Sequence, residues 1–183
     1  MLMKQTSDWL RQIEPEIGYY IAGFADGEGS FNVSLRKRDD HTLGWQVDPS
    51  FNVSQRDRVI LAFIKRTFGC GTLRSRKDGV VYFEVRNLQM LATRVIPFFE
   101  RFRFRSAAKK RNFALFKQIV QVLHSKPMNQ DVLERVVGLR EHLNHGHGRK
   151  RKFEARHVLG KSSETTRQTR PVSNTGIQGS EMI

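Results

Sequence analysis

Residues 17–31 of this chain read Ile17-Gly18-Tyr19-Tyr20-Ile21-Ala22-Gly23-Phe24-Ala25-Asp26-Gly27-Glu28-Gly29-Ser30-Phe31, and the remainder is arranged around them. The apolar residues Ile17, Ile21 and Phe24 recur at the spacing of one helix face. Pro15 suits the first position of that helix. The segment therefore predicts a helix that runs directly into a strand beginning at residue 30.

A second face of this helix carries only small side chains. Two glycines inside a helix each cost roughly 1 kcal/mol relative to alanine, so their presence needs a compensating reason. Small side chains allow another helix backbone to approach closely, and we therefore predict a close-packed helix pair. The residues assigned to this contact are Gly18, Ala22, Gly23, Ala25 and Asp26.

Asp26 and Glu28 place two carboxylates at the end of the helix, where the helix dipole is negative. Each carboxylate is repelled by the dipole and by the other, so the arrangement is unfavourable on its own. A bound cation is the simplest compensation, and carboxylate oxygens suit Mg²⁺ or Ca²⁺. A helix cap followed by an acidic turn is the alternative, and composition alone favours it.

The composition indicates a nucleic-acid-binding protein, although a ribosomal or RNA-packaging protein would share it. The 183 residues include 32 Lys and Arg against 18 Asp and Glu, giving a formal net charge of +14 and a pI of about 10.6. Cys70 is the only cysteine, which excludes an internal disulfide and favours a reducing compartment. No apolar run is long enough to span a membrane, and the N-terminus lacks an apolar signal core. We expect an intracellular protein of an organelle or of a bacterial or archaeal cytoplasm, not a secreted or membrane protein.

The alternation of apolar and polar residues predicts four strands, at residues 30–38, 44–54, 72–76 and 80–86. Helical patterns follow at residues 58–68, over about fourteen residues after Asn87, and at residues 109–124 and 130–143. Strands paired in hairpins, with helices on one face, make an α+β domain.

The polar face of the predicted sheet is rich in hydrogen-bonding and cationic side chains. A twisted antiparallel ribbon can enter the DNA major groove, where Arg pairs with guanine and Asn or Gln with adenine. A solvated sheet face is the alternative, but all four strands repeat the same excess of donors. The predicted DNA-binding residues are Asn32, Ser34, Arg36, Arg38, Gln46, Asn52, Arg56, Arg58, Arg74, Arg76, Tyr82, Glu84, Arg86, Arg149, Lys150 and Lys152.

The composition changes after residue 143, where residues 144–152 read NHGHGRKRK. Histidines in a glycine-rich loop without a nearby cysteine make a poor zinc site, so we interpret this segment as a basic arm on phosphates. We expect an N-terminal extension over residues 1–14, one domain over residues 15–145, and a flexible basic tail over residues 146–183.

Residues 21–29, IAGFADGEG, resemble the nine-residue signature of the LAGLIDADG homing endonucleases, with Phe24 and Gly27 as ordinary variants. Residues 48–55, 95–99 and 109–113 resemble further segments of single-motif members encoded in group I introns of ribosomal RNA genes. The resemblance covers roughly residues 15–145. It implies an αββαββα fold with a DNA-binding saddle of antiparallel strands, and the activity of a site-specific, Mg²⁺-dependent DNA endonuclease.

The resemblance also implies roles for individual residues. Glu28 stands where the family has its metal-binding acid, and the Gly27 carbonyl could supply a second, neutral ligand. Gln55 matches a position that orients solvent near the scissile phosphate. Lys109 matches a cluster that assists near the reaction centre, with Lys110 as a close competitor. Mn²⁺ is expected to substitute for Mg²⁺, and Ca²⁺ to bind without efficient cleavage.

One signature in the chain implies a homodimer, because cutting two strands needs two acidic sites. Such a dimer would cleave a long pseudo-palindromic double-stranded site across the minor groove. The alternative is a maturase that uses the same basic surface to bind intron RNA, a function that requires neither Glu28 nor Gln55.

Overall fold

The structure is a computed structural model that describes residues 5–144 and 152–160. Its core follows the predicted order of helix, two strands, helix, two strands and helices. The elements are α1 (Gln5–Arg11), α2 (Pro15–Glu28), β1 (Gly29–Lys37), β2 (Trp45–Gln55), α3 (Arg58–Phe68), β3 (Thr72–Ser75), β4 (Val81–Val85), α4 (Leu88–Met90), a π-helical turn (Leu91–Val95), α5 (Ile96–Arg101), α6 (Ala107–Ser125), α7 (Gln130–His142) and α8 (Ala155–Leu159).

The four strands form one antiparallel sheet in the order β1-β2-β4-β3. Gly29 of β1 lies opposite Val53 of β2, and Asn52 of β2 lies opposite Glu84 of β4. The α+β prediction is confirmed, and each predicted strand agrees with the structure to within about one residue at either end. Pro49 is tolerated inside β2 opposite Val33.

Phenylalanines of the inner sheet face and of the helices form the core beneath the sheet. The rings of Phe31 and Phe116 lie 4.9 Å apart, and those of Phe99 and Phe104 stack at 4.4 Å. Both pairs are almost fully buried. Burial of aromatic surface on this scale fixes the helical layer against one face of the sheet and leaves the other face open.

Side chains cap the helices that follow the strands. Asp57 and Asn87 accept hydrogen bonds from the backbone N–H groups of Val59 and Met90, at 2.7 and 3.0 Å. The helical segment after Asn87 widens into the π-helical turn just before Pro97, where the missing proline N–H interrupts the regular ladder.

β1 is one of the two edge strands of the sheet, and three side chains cap carbonyl groups along it. Lys109 donates from Nζ to the Gly29 carbonyl. Asn144 donates from Nδ2 to the Phe31 carbonyl at 2.7 Å, and Arg140 donates from Nε to the Val33 carbonyl at 2.9 Å. These contacts occupy carbonyls that would otherwise offer an edge for strand addition.

The segment around α8 packs on the domain, although we expected a flexible tail from residue 146. Val158 is buried with Leu133 and Val137 of α7, and the Phe153 ring lies 4.9 Å from that of Trp45. Apolar residues in this otherwise basic stretch supply the contact. The folded region therefore includes residues 152–160.

Candidate functional site

Asp26 connects the end of α2 to the start of α6. Its Oδ2 accepts hydrogen bonds from the backbone N–H groups of Arg105 and Ser106, at 2.8 and 2.9 Å. Its Oδ1 accepts one from the Ser106 hydroxyl at 2.5 Å. Burial raises the pKa of Asp26, but the hydrogen bonds from Ser106 and Arg105 outweigh burial and lower the pKa below 3.8. Asp26 is thus held as a carboxylate with a structural task.

Glu28 is the last residue of α2, and its side chain is exposed. Gly29 follows in an extended conformation, and a Cβ at this position would lie 2.5 Å from the Ala25 carbonyl oxygen. Glycine is therefore required where the helix turns directly into β1. This sharp junction leaves the Glu28 carboxylate at the negative end of α2 and at the edge of the sheet.

Lys109, in the first turn of α6, reaches across to this junction. Its ammonium group is half-buried and donates to the Gly29 carbonyl. Burial lowers the pKa of Lys109, and the negative charges of Asp26 and Glu28 partly oppose that shift. Lys110 is exposed and instead lines a cleft with Arg103, so the structure distinguishes the two lysines by position.

Asp26 and Lys109 border a cavity of about 520 Å³ at the junction of α2, β1 and α6. Gly27, Ser30 and Lys109 contribute to its lining. Asn112 and Asn144 also line this cavity and are joined by two hydrogen bonds of 3.0 Å, although neither was predicted as a site residue. No local pattern marks these two amides, because α6 and the end of α7 come together only in the fold.

Gln55 ends β2 at the same end of the sheet. Because Gly29 lies opposite Val53, Gln55 lies two residues beyond that pair, on the side where α2 ends. Its Oε1 accepts a hydrogen bond from the Arg56 backbone N–H at 2.8 Å. The catalytic role predicted for Gln55 remains a prediction.

The oxygen atoms at this end of α2 fit a weakly held divalent cation. Within residues 5–144 and 152–160, no three His, Cys, Asp or Glu side chains cluster as a metal cage would require. Mg²⁺ takes few protein ligands and completes its shell with water and phosphate. The Glu28 carboxylate and the Gly27 carbonyl would supply such a donor pair, at a helix end that favours positive charge.

The open face of the sheet presents most of the predicted DNA-binding residues. The register places Asn32 opposite Ser50, Arg36 opposite Gln46, and Arg74 opposite Tyr82. Arg56 and Arg58 are exposed where β2 leads into α3. Lys152 lines a groove beside β1, whereas Arg149 and Lys150 lie outside the described residues.

Several of these cations are already paired on the protein surface. Arg38 forms an ion pair with Asp40 at 2.6 Å, and this contact raises the pKa of Arg38 and lowers that of Asp40. Arg76 donates to the Tyr82 hydroxyl at 2.7 Å and is paired with Asp78. Exposed ion pairs of this kind contribute little to stability, so these arginines can exchange their protein partners for DNA phosphates at little cost.

The small-residue face of α2 is largely covered by the chain itself. Gly18, Ala22 and Ala25 are buried within the subunit, so they offer little surface to a second copy. A Cβ on Gly18 would lie 2.2 Å from Phe102 Cε1, so this glycine accommodates the chain's own aromatic ring. Asp26 is likewise engaged within the chain. Of the five predicted contact residues, Gly23 is exposed, and among the described residues no atom apart from the local helix backbone lies within 4 Å of a Cβ built there.

The structure thus has an acid-bearing helix end beside an open, cationic antiparallel sheet, within an α+β fold. The family model described as LAGLIDADG endonuclease matches residues 21–120, more than half of the chain. The chain therefore belongs to the LAGLIDADG family.

Curated relatives include homing endonuclease I-ApeII of Aeropyrum pernix, 34% identical over 57% of this chain and 62% of that protein. DNA endonuclease I-CeuI of Chlamydomonas moewusii is 33% identical over 69% of this chain and 60% of that protein. The chain thus spans less than two thirds of either relative.

Solved structures agree with the fold. The archaeal intron-encoded homing endonuclease I-Vdi141I, complexed with DNA, superposes with a TM-score of 0.72 at 30% identity, over 78% of this chain and 92% of that one. The homing endonuclease I-TnaI gives 0.69 at 25% identity, over 81% and 97%. Within the described residues, no helix has the length and apolarity needed to cross a membrane.

Proposed function

We propose that this chain is a site-specific double-strand DNA endonuclease that acts as a homodimer with Mg²⁺. The observation that carries the proposal is the exposed Glu28 carboxylate beside the half-buried Lys109 ammonium, at one end of the open sheet. A structural protein gains nothing from leaving an acid at a negative helix end next to a partly desolvated lysine.

Glu28 and the Gly27 carbonyl are the residues proposed to hold the metal. A bound Mg²⁺ would offset charge on the scissile phosphate and lower the pKa of a coordinated water. Mn²⁺ is proposed to replace it, and Ca²⁺ to bind without efficient cleavage. Glu28 stands at the position of the second aspartate in the LAGLIDADG signature, and it keeps that negative charge but adds one methylene.

Lys109 and Gln55 are proposed to assist the reaction without holding the metal. The lowered pKa of Lys109 increases its neutral fraction, which lets it exchange a proton near the phosphate more readily than an exposed lysine. The Gln55 amide both donates and accepts hydrogen bonds, so it suits orienting a water rather than deprotonating it.

DNA is proposed to lie along the open sheet face. Arginine and amide side chains at alternate positions of β1, β2 and β4 would read base edges in the major groove, and flanking lysines would contact phosphates. The solved relative I-Vdi141I is complexed with DNA, which supports this assignment. The target would be a long pseudo-palindrome, read by two copies of the sheet.

The homodimer is proposed to form through the exposed face of α2. Tyr19 and Tyr20 are 53% and 56% exposed, and the open positions Gly23 and Gly27 continue this face toward Glu28. Large exposed aromatic residues beside glycines suit a helix–helix contact. Such a contact would bring one Glu28 from each copy toward the two strands of one duplex.

Cleavage of a randomised double-stranded DNA pool tests this function. Wild-type protein with Mg²⁺ should produce discrete ends at one motif. Glu28→Gln should cut at least about a hundredfold more slowly, because several kcal/mol of charge stabilisation are lost. Glu14→Gln at the opposite end of α2, where the side chain makes no capping bond, is the matched control.

Equal cutting by Glu28→Gln and wild type would refute the catalytic assignment. Tight binding of intron RNA without DNA cleavage would favour the maturase. A pair of identical active sites predicts double-strand breaks, whereas a working monomer would cut only one strand.

We propose that the protein acts inside the cell, in an organelle or in a bacterial or archaeal cytoplasm.

A further inference from the structure

Asp48 lies in the middle of β2, on the open sheet face among the residues proposed to read DNA. Its side chain is 16% exposed, far less than that of the neighbouring Arg36, which is 56% exposed. Arg36 Nε lies 2.8 Å from Asp48 Oδ2, and Arg86 Nη2 lies 3.6 Å from the same oxygen. Gln46 donates from Nε2 to Asp48 Oδ1 at 2.8 Å. The Asp48 carboxylate therefore accepts a hydrogen bond from Gln46 and forms ion pairs with Arg36 and Arg86, so it contacts three proposed readers.

The strand register explains this convergence. Arg36 of β1 lies opposite Gln46, which places Asp48 on the diagonal next to it. Asn52 lies opposite Glu84, so Arg86 lies level with Ser50 and is again diagonal to Asp48. Diagonal neighbours on one sheet face are about 7–8 Å apart, a distance that long side chains span.

The network continues beyond Asp48. Gln46 accepts from Arg38 Nη1 at 3.1 Å through its Oε1, and Arg38 is paired with Asp40. The Gln46 amide is consequently held at both ends. Its orientation, which decides whether it offers an acceptor or a donor to a base, is set by the carboxylate of Asp48.

An acid in this position works against the affinity of the surface for DNA. Asp48 adds a negative charge to a face that otherwise attracts phosphates, and it neutralises cations that would contact them. Affinity alone would favour asparagine or serine here. The contact between Arg36 and Asp48 is made through Nε, and a guanidinium that pairs through Nε can still present its terminal amino groups to the O6 and N7 atoms of guanine.

We propose that Asp48 is a positioning residue that sets DNA sequence discrimination at the expense of overall DNA affinity. It holds Arg36, Arg86 and Gln46 in one arrangement before DNA arrives, so less side-chain freedom is lost when the correct bases are met. At a wrong base pair, the restrained side chain cannot rotate to contact a phosphate instead, so the lost base contact is not replaced. This inference rests on the proposed DNA-binding function.

Asp48→Asn tests the proposal in a binding selection on a randomised double-stranded DNA pool at fixed salt. Asparagine keeps the size of the side chain but removes the charge that fixes two guanidinium groups. Discrimination at the base pairs read by Arg36 and Arg86 should fall about tenfold. Affinity for unrelated DNA should rise by roughly two- to fivefold, because one repulsive charge is gone.

Asp39→Asn is the charge-matched control. The Asp39 side chain is 90% exposed and lies 3.7 Å from Lys37 alone among the described cations, away from the three readers. It should change affinity for all DNA slightly and leave base preference unchanged. Arg36→Ala should abolish most of the effect of Asp48→Asn at the base pair that Arg36 reads, because Asp48 acts there through Arg36.

The possible outcomes of these binding selections distinguish the Asp48 proposal from the proposed function. Unchanged base preference in Asp48→Asn, with wild type selective, overturns the Asp48 proposal and leaves the proposed function standing. A wild-type protein that selects no DNA motif overturns the proposed function itself. Loss of a cytosine preference at one base pair, independent of Arg36 and Arg86, would make Asp48 a direct reader. A uniform loss of affinity with a lower melting temperature would make its role structural.

Discussion

At the residue scale, the two acids at the end of α2 have different tasks although they are only two positions apart. Asp26 accepts three hydrogen bonds from Arg105 and Ser106 and ties α2 to α6. Glu28 is exposed, in the last position of the same helix. Their separation by Gly27 points the two side chains to different surroundings, so one acid can hold the scaffold while the other stays available for chemistry.

Asp26→Asn should make the protein less stable at neutral pH and flatten its acid unfolding. The folded pKa of Asp26 lies below 3.8, so the unfolded chain binds more protons between these two values. The stabilisation is therefore present above pH 3.8 and is lost as the pH falls through the lower, folded pKa. Removing the carboxylate should cost about 2 kcal/mol at pH 7.

Urea unfolding followed by circular dichroism from pH 6 to pH 2 measures this difference. The gap between wild type and Asp26→Asn should narrow toward pH 2, whereas Glu14→Gln should follow wild type throughout. A gap that stays constant with pH would show that the hydrogen bonds do not depend on the charge of Asp26.

At the element scale, α2 has two faces that look alike in sequence and differ in the fold. Gly18, Ala22 and Ala25 pack inside the subunit. In the part of the chain that the structure describes, a Cβ built at Gly23 or Gly27 has no atom within 4 Å other than the local helix backbone. Helical spacing identifies small residues but does not say what they meet. The Phe102 ring, from a distant part of the chain, occupies the space that Gly18 leaves.

Gly18→Ala and Gly23→Ala should have opposite effects on the stability of the subunit. The new methyl group at position 18 would lie 2.2 Å from a Phe102 ring carbon, and relieving this overlap should cost about 1–3 kcal/mol. At position 23 the methyl group would contact no described side chain, so the higher helix propensity of alanine should stabilise the helix by roughly 0.5–1 kcal/mol.

Thermal unfolding at low protein concentration compares the two variants, and each serves as the control for the other. Sedimentation then tests the proposed dimer, because Gly23→Ala should weaken association while stabilising the subunit. Equal destabilisation by both substitutions would contradict the assignment of the two faces.

At the scale of the whole molecule, the C-terminal part of the described chain completes the fold. Arg140, 7% exposed, donates to the Val33 and Phe153 carbonyls, at 2.9 and 3.0 Å. These contacts tie the end of α7, the edge of the sheet and the segment before α8 together. The segment also covers Trp45, which would otherwise expose a large apolar ring at the far end of β2.

Phe153→Ala should destabilise the protein by about 2 kcal/mol, because a partly buried ring and its edge contact with Trp45 are lost. Trp45 fluorescence should shift toward that of a solvated indole. Arg156→Ala in the same segment, where the side chain is 78% exposed, is the control and should change neither property. An unchanged Trp45 spectrum in Phe153→Ala would mean that this segment does not cover the sheet in solution.

Local patterns in the sequence were sufficient for the four strands, for the longer helices and for the family, but not for α8. Helix α3 begins and ends where its apolar period, the Asp57 cap and Gly69 place it, since a helix is stabilised by residues three and four apart. The strands follow from alternation for the same reason. Glu28 and Lys109 could be predicted as site residues from sequence because they belong to contiguous motifs, and their roles remain predictions.

Only the tertiary structure decided which partners these residues have. The capping of the β1 edge by Lys109, Asn144 and Arg140, the space for Phe102 at Gly18, and the three readers held by Asp48 all join residues from separate elements. Periodicity assigns a side chain to a face, but packing and strand register determine what it touches, because contacts distant along the chain form only when the whole core closes.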